Sequence, residues 1–351
     1  MNSDAGHRPE LANIARMALP AWGLADEASL KLLKYRENAV FSVSMNGSPA
    51  YVLRVHRRGY HTDSALRSEL AWMTALNSQG IPTPRVAATK GGDVLTHVAG
   101  SNGEDPHQCD LLSWVPGVPL GSIENRSFGK EDFIARAYHQ VGRLAAQLHS
   151  HSERWRPARP VDRHSWDEEG CLGPRAVWGY YADLNTLTDV QRTLLRSAVD
   201  VARRRLADYG KASTRFGLIH GDLIPENVLI DGESCTVIDF DDAGFGWYVA
   251  EIATAVFFQV GTASFAPALR AMIGGYRQIR EISSADLRML DVMLFLRGLA
   301  VFGWIRTRGE TDTAKQINAS VIEITMALAA HLTADLTYPT RLKVNFETLI
   351  T

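Results

Sequence analysis

The chain has 351 residues, 46% hydrophobic and 22% charged, the balance of a globular enzyme built as one large domain or two lobes. Its formal net charge is −2, so no strongly charged partner is implied, and the cluster Arg203-Arg204-Arg205 reads as the solvated face of a helix, not as a nucleic-acid patch. Three cysteines without a C-x-x-C pair exclude a disulfide framework and a zinc site and point to a reducing compartment. The start, MNSDAGHRPE, lacks the apolar stretch of a signal peptide. The apolar run 287–305 carries Arg288, Asp291 and Arg297, so a buried helix is expected there and not a membrane span. The expected location is cytoplasmic.

Taken in chain order, 39–45 alternates as a strand, Asn46-Gly47-Ser48-Pro49 signals a turn, and 50–56 (AYVLRVH) is the return strand of a hairpin. Thr62 and Asp63 are candidate helix caps. Ala65, Leu66, Leu70, Met73 and Leu76 then recur at helical spacing up to Gly80, and Pro82 and Pro84 block continuation. Further strands are expected at 94–98 and 110–115, before the break at Pro116-Gly117. Beyond it the pattern is mainly helical, with helices predicted near 131–151, 189–208, 248–259, 264–281, 286–306 and 313–335. The expectation is an α+β protein: a small strand-rich lobe over 1–111, a connector at 112–118 and a larger helical lobe over 119–351. A cleft between such lobes is a usual place for a ligand.

The helical part is interrupted by IHGDLIPENVLIDGESCTVIDFDD, residues 219–242, where acids crowd the ends of short apolar strands. A buried carboxylate is costly unless it is solvated, paired or holding a metal. If 228–230 pairs with 235–238, Asn227 and Asp239 fall at one end of a hairpin and can share a cation. One carboxylate and one amide oxygen, completed by water and phosphate oxygens, suit magnesium. Asp222 sits nearby but off the metal, placed to take a proton from a hydroxyl. HGDLIPEN followed by IDFD thus reads as the H-x-D-x-x-x-x-N loop and metal strand of phosphotransferases. His220 is expected to brace the loop, and Asp231 to be a turn residue.

These residues resemble the aminoglycoside phosphotransferase and choline kinase superfamily, which has a protein-kinase-like fold. The resemblance extends to ENAVFSVSMNGSPAYVLRVHRRG as a nucleotide-binding hairpin, SELAWMTAL as the helix carrying a glutamate partner, IPTPRV as the step after it, and LLSWVPGVPL as the connector. It covers roughly 20–260, with the last helices loosely matched. It implies ATP and Mg2+ as cofactors, Asp222 as catalytic base, and Asn227 and Asp239 as magnesium ligands. Glu69 would orient the strand cation Arg54. Backbone near Ser113 and Val115 would receive adenine. The hairpin loop near 38–46, with Asn38, Val40 and Phe41, would cover the phosphates.

The sequence departs from that family in two respects. Arg54 stands where many members carry Lys, and an Arg is a rigid fork that keeps its proton; the plain alternative is a surface ion pair of little energy. There is also no G-x-G-x-x-G in the hairpin and no G-x-x-x-x-G-K-[ST], which argues against a Walker-type ATPase. For the acceptor, Asp241, Asp242, Trp247 and Glu251 follow the metal strand and could bind an ammonium group, the aromatic ring through cation–π contact. The alternative is that Trp247 and Tyr248 start a helix and pack, with Asp242 capping. The expected reaction is transfer of the γ-phosphoryl group of ATP to a hydroxyl of a small aminated metabolite, such as homoserine, hydroxylysine or an amino alcohol. An aminoglycoside, a protein Ser/Thr substrate, or a pseudokinase that binds nucleotide without turnover are the competing expectations. No nucleic-acid or membrane partner is expected.

Overall fold

The structure, a computed structural model, describes residues 4–24, 28–35, 38–100, 105–126 and 128–335. It divides into two compact units: Met1–Pro116 with Ala158–Asp162, and Gly117–Pro157 with Arg163–Thr351. The division falls after Pro116, inside the expected connector, and the segment 158–162 returns to the first unit. Among the described residues no helix is long and apolar enough to cross a membrane.

The first unit opens with helix α1 (Asp4–Ala18). Five strands follow, β1 (Ser29–Tyr35), β2 (Ala39–Met45), β3 (Ser48–Val55), β4 (Thr96–Val98) and β5 (His107–Ser113), with helix α2 (Asp63–Ser78) between β3 and β4. They form one antiparallel sheet in the order β1-β2-β3-β5-β4. The β2–β3 turn is tighter than the sequence suggested. Met45 pairs with Ser48, so only Asn46 and Gly47 lie in the loop, at φ 51° and 79°. Two positive φ angles make the turn that matches strand twist, and Asn-Gly is the pair that tolerates it. Ile14, Ala15, Phe41, Val43, Leu53, Val55 and Leu111 form a buried cluster from α1 and the sheet. Helix α2 starts where its cap predicts, with Thr62 Oγ1 accepting from Ala65 N at 3.1 Å.

The second unit carries β6 (Val118–Pro119), α3 (Glu131–Arg154), the short α4 (Glu168–Leu172), α5 (Asp189–Tyr209), β7 (Phe216–Ile219), β8 (Val228–Asp231), β9 (Ser234–Val237) and β10 (Gly244–Trp247). It ends in α6 (Tyr248–Val256), α7 (Phe265–Arg277), the short α8 (Ser284–Leu287), α9 (Leu290–Thr307) and α10 (Asp312–Thr333). Strands β6-β8-β9 form one small sheet and β10-β7 another. Helix α9 is buried over nearly its whole length, which is why its sequence is apolar on every side. Arg297 lies in the middle of it, 7% exposed. The composition of the two units is a mixed α+β, protein-kinase-like fold: sheet in the N-terminal part, helices in the C-terminal part.

Candidate active site

In the first unit, register puts Arg54 of β3 directly opposite Asp110 of β5. The guanidinium takes the Asp110 carboxylate in a fork, Nε to Oδ1 at 2.9 Å and Nη2 to Oδ2 at 2.7 Å. Its Nη1 donates to Glu69 Oε1 of α2 at 2.7 Å. His56 Nε2 lies 2.8 Å from Asp110 Oδ2. Burial raises the Asp110 pKa, but Arg54 and His56 beside it prevail and hold the carboxyl down at about 2. Arg54 is 3% exposed and Glu69 1%, so a surface ion pair is the wrong description. The pair expected from sequence is a buried cluster, with Asp110 as its unforeseen third member. The signal was a single acid within the apolar run of HQCDLLS.

The remaining first-unit candidates are placed as follows. Asn38 is buried, and its Oδ1 accepts from Arg57 N at 3.2 Å. Val40 is strand, paired with Arg54. Phe41 is 2% exposed in the core cluster, so its side chain packs in the core where a place beside phosphates was expected. The stretch 39–45 is a strand and not a loop; the β1–β2 connection precedes Asn38, and its residues 36–37 lie outside the described residues. Ser113 N donates to Arg85 O at 2.8 Å, and its Oγ accepts from Arg85 N at 2.9 Å. Val115 follows β5 at intermediate burial.

In the second unit, β7 delivers the chain into the acidic loop. Gly221 has φ +80°, and a Cβ there would lie 2.3 Å from Asp242 O and 2.7 Å from Trp166 Nε1, so only glycine fits. His220 is fully buried. Its Nδ1 accepts from Asp222 N at 3.3 Å, which leaves the proton on Nε2, 3.0 Å from Ile238 O. Burial lowers its pKa to about 4, so the ring is neutral near pH 7. His220 thereby ties the loop to the end of β9.

The loop then folds on itself. Ile224 N donates to Asp222 O at 2.8 Å, and Asn227 N to Ile224 O at 3.0 Å. Asn227 Nδ2 donates to Asp222 O and to Asp222 Oδ2, each at 2.9 Å. The β8–β9 hairpin pairs Val228 with Val237, and Ile238 N donates to Asn227 O at 2.9 Å, so Asn227 and Asp239 do share one end of the hairpin. Asp239 sits at φ 67°, ψ 67° and is exposed. A left-handed non-glycine residue is strained, and such strain collects at functional sites.

The sequence did not foresee Arg297. From α9 its Nη2 reaches Asp222 Oδ1 at 2.6 Å and its Nη1 reaches Gly221 O at 3.3 Å. Its guanidinium lies 4.6 Å from the centre of the Trp178 ring. Trp178 Nε1 in turn donates to Asp242 Oδ1 at 2.8 Å. The available signal is a basic residue in the middle of a helix that is otherwise apolar there.

The four acceptor candidates need correction. Trp247 is fully buried, donates to Gly210 O at 2.9 Å and meets Phe216 edge on, with the protein's own Lys211 Nζ 5.7 Å from its ring. It packs at the end of β10 and does not face an acceptor. Glu251 is also fully buried, and its two oxygens accept from His220 N at 2.9 Å and Gly221 N at 3.0 Å. It braces the loop from α6. Burial pushes its carboxyl up to about 7, against the pull of those two amides. Asp241 and Asp242 are 3% and 8% exposed, and Asp242 already serves Trp178, so neither presents an open carboxylate to an ammonium group.

A divalent cation fits the pair Asn227 and Asp239. Asn227 spends its Nδ2 on Asp222, which leaves Oδ1 as the acceptor available to a cation. Among the described residues there is no group of three or more His, Cys, Asp or Glu able to hold a metal. A cation here must draw most of its coordination from phosphate and water, as magnesium does.

A carboxylate held beside an Asn and a strained Asp on a strand–loop–strand is the local arrangement expected of a phosphotransferase loop. The chain belongs to the phosphotransferase enzyme family, whose pattern it matches over residues 31–282. It is 22% identical over 294 residues to the amicoumacin kinase of Bacillus subtilis, spanning 81% of this chain and 82% of that one. It is 26% identical over 268 residues to the homoserine kinase of Gluconacetobacter diazotrophicus, spanning 73% and 74%. The solved structure of a microcompartment-associated aminopropanol kinase superposes with a TM-score of 0.81 at 32% identity, over 92% of this chain and 98% of the other.

Proposed function

We propose that the protein transfers the γ-phosphoryl group of ATP to a hydroxyl of a small amine-bearing metabolite. The observation that carries this is the Asp222 carboxylate, fixed through Oδ2 by Asn227 and through Oδ1 by Arg297. Each oxygen keeps a further lone pair for an acceptor hydroxyl. Phosphoryl transfer has a largely dissociative transition state, so aligning the nucleophile and neutralising charge matter more than strong base catalysis. Asp222 aligns the hydroxyl and takes its proton late in the step. Asn227 Oδ1 and Asp239 would hold Mg2+, which when bound would supply positive charge to offset that of the phosphates. Arg54, oriented by Glu69 and Asp110, neutralises phosphate oxygens. Adenine is received by backbone around Ser113 and Val115, and Asn38, just before β2, contacts the phosphates.

The amine on the acceptor is supported by the likeness to an aminopropanol kinase, not by Asp241 and Asp242, which are turned inward. The test is magnesium-dependent ATP turnover against 1-amino-2-propanol, ethanolamine, homoserine, hydroxylysine, amicoumacin and an aminoglycoside. Turnover on one of the small amino alcohols or hydroxy amino acids, with kcat/KM at least about tenfold above the antibiotics, is expected; a tenfold ratio is about 1.4 kcal/mol of discrimination. Preference for amicoumacin would replace the metabolite reading by an antibiotic one. ATP binding without turnover on any acceptor would overturn the enzyme reading.

A further inference from the structure

Asp222 needs a fixed rotamer, yet the loop that carries it is short and holds only one of its two oxygens. The other oxygen is held from α9, 75 residues further along the chain. Arg297 is a charge placed on a helix otherwise buried in apolar contacts. Such a residue is expensive to bury unless it is paired and its donors are used. Here Nη2 pairs with Asp222 and Nη1 with Gly221 O, while Nε has no hydrogen-bond partner among the described residues. The guanidinium carbon lies over the Trp178 ring, 4.6 Å from its centre. The ring is itself pinned twice, by its own indole N–H on Asp242 Oδ1 and by edge contact with Trp166 at 5.0 Å. Trp166 Nε1 donates to Asp242 O at 2.9 Å, closing the set.

We infer that Arg297 is a positioning residue for phosphoryl transfer, holding the Asp222 carboxylate in line with the acceptor hydroxyl, and that Trp178 and Asp242 form the clamp that aims it. This rests on the reading of Asp222 as the group that aligns the acceptor. It also gives Asp242 and Trp178 a use. The acid does not bind an acceptor amine, and the indole face is occupied by the protein's own cation. A lysine at 297 could supply charge but neither the planar stack nor two donors in one plane.

The experiment uses the full chain with ATP, magnesium and the best acceptor of the panel. Arg297→Gln is expected to lower kcat by about 100-fold while the KM for ATP stays within about twofold, since orientation of the acceptor is lost and nucleotide contacts are not. Arg297→Lys is expected to recover part of that loss. In Arg297→Ala, guanidinium chloride at roughly 10 mM, far below denaturing levels, is expected to raise kcat by about tenfold or more, and to do nothing for Asp222→Ala. Trp178→Leu, which removes the stacking face only, serves if the Arg297 variants do not fold; it is expected to lower kcat by about tenfold with unchanged KM for ATP. Wild-type kcat in Arg297→Gln would overturn the inference. So would a fall in kcat matched by a rise in the KM for ATP and a lower Tm, without guanidinium rescue, because that pattern marks a merely structural arginine. If the wild-type chain itself turns over no acceptor, the phosphotransferase reading fails and the inference falls with it; if the wild type is active and only the Arg297 pattern is missing, the inference alone fails.

Discussion

Asp222 has hydrogen bonds on both carboxylate oxygens, one neutral and one charge-assisted. Asp222→Asn keeps the shape and removes the proton acceptor. It is expected to lower kcat by about 10²–10⁴-fold with little change in nucleotide affinity, read by steady-state kinetics beside calorimetric ATP binding. Two titrating groups under the same loop pull stability in opposite directions. His220, lowered by burial to about 4, favours the folded state above the ordinary 6.5, and this stability is lost as pH falls from 6.5 toward 4. Glu251, raised by burial to about 7, favours folding below the ordinary 4.5, and that stability is lost as pH rises from 4.5 to 7. Between pH 4.5 and 6.5 the two slopes nearly cancel. Glu251→Gln removes one of them. Its unfolding free energy is expected to drop by roughly 2–3 kcal/mol on acidification across that window, where the wild type changes by less than about 1 kcal/mol, measured by urea melts at both ends. The His, Asp and Asn of the loop were legible because their spacing is set by local backbone. Arg297, Asp110 and Trp178 were not, because their partners lie 75, 56 and 64 residues away and only the fold brings them together.

At the scale of elements, the long helices α3, α5 and α10 match their predicted spans closely because their apolar periodicity is sustained; α5 and α10 are also capped, Thr188 and Thr311 accepting from the first turn. The missed elements have no such signal. Strand β10 is GFGW, and both glycines are there for contact: a Cβ on Gly246 would lie 2.4 Å from Ile219 Cδ1, and one on Gly244 2.7 Å from His164 O. Strand β1 has an exposed alternate face, and α1 was hidden in a polar start. Helices α3 and α7 approach through two glycines. A Cβ on Gly142 would lie 2.0 Å from Met272 O, and one on Gly275 1.9 Å from His139 O. Either Gly→Ala change must push the helices apart against backbone. A loss of at least about 1–3 kcal/mol is expected for each, seen as a lowered Tm. Asp110→Ala, across the β3–β5 pair, strips one buried partner from Arg54. It is expected to cost about 3–5 kcal/mol in the unfolding free energy, more than an exposed pair such as Arg67 with Asp93 would lose.

At the scale of the whole molecule, a formal net charge of −2 supplies no strong long-range attraction for a polycationic antibiotic. The family is shown by a pattern spanning 31–282, while helices α8, α9 and α10 lie beyond it, and one of them, α9, is the element that reaches back to the loop of Asp222. In the proposed reaction Asp222 directs the γ-phosphoryl group of ATP onto a small amino-alcohol hydroxyl. The most direct measurement is product formation from ATP, Mg2+ and 1-amino-2-propanol by the wild type and by Asp222→Asn, followed by 31P NMR. A new phosphate monoester is expected with the wild type, abolished by EDTA and lowered by about 10²-fold or more in the variant although it still binds ATP. Equal product from both proteins would contradict it.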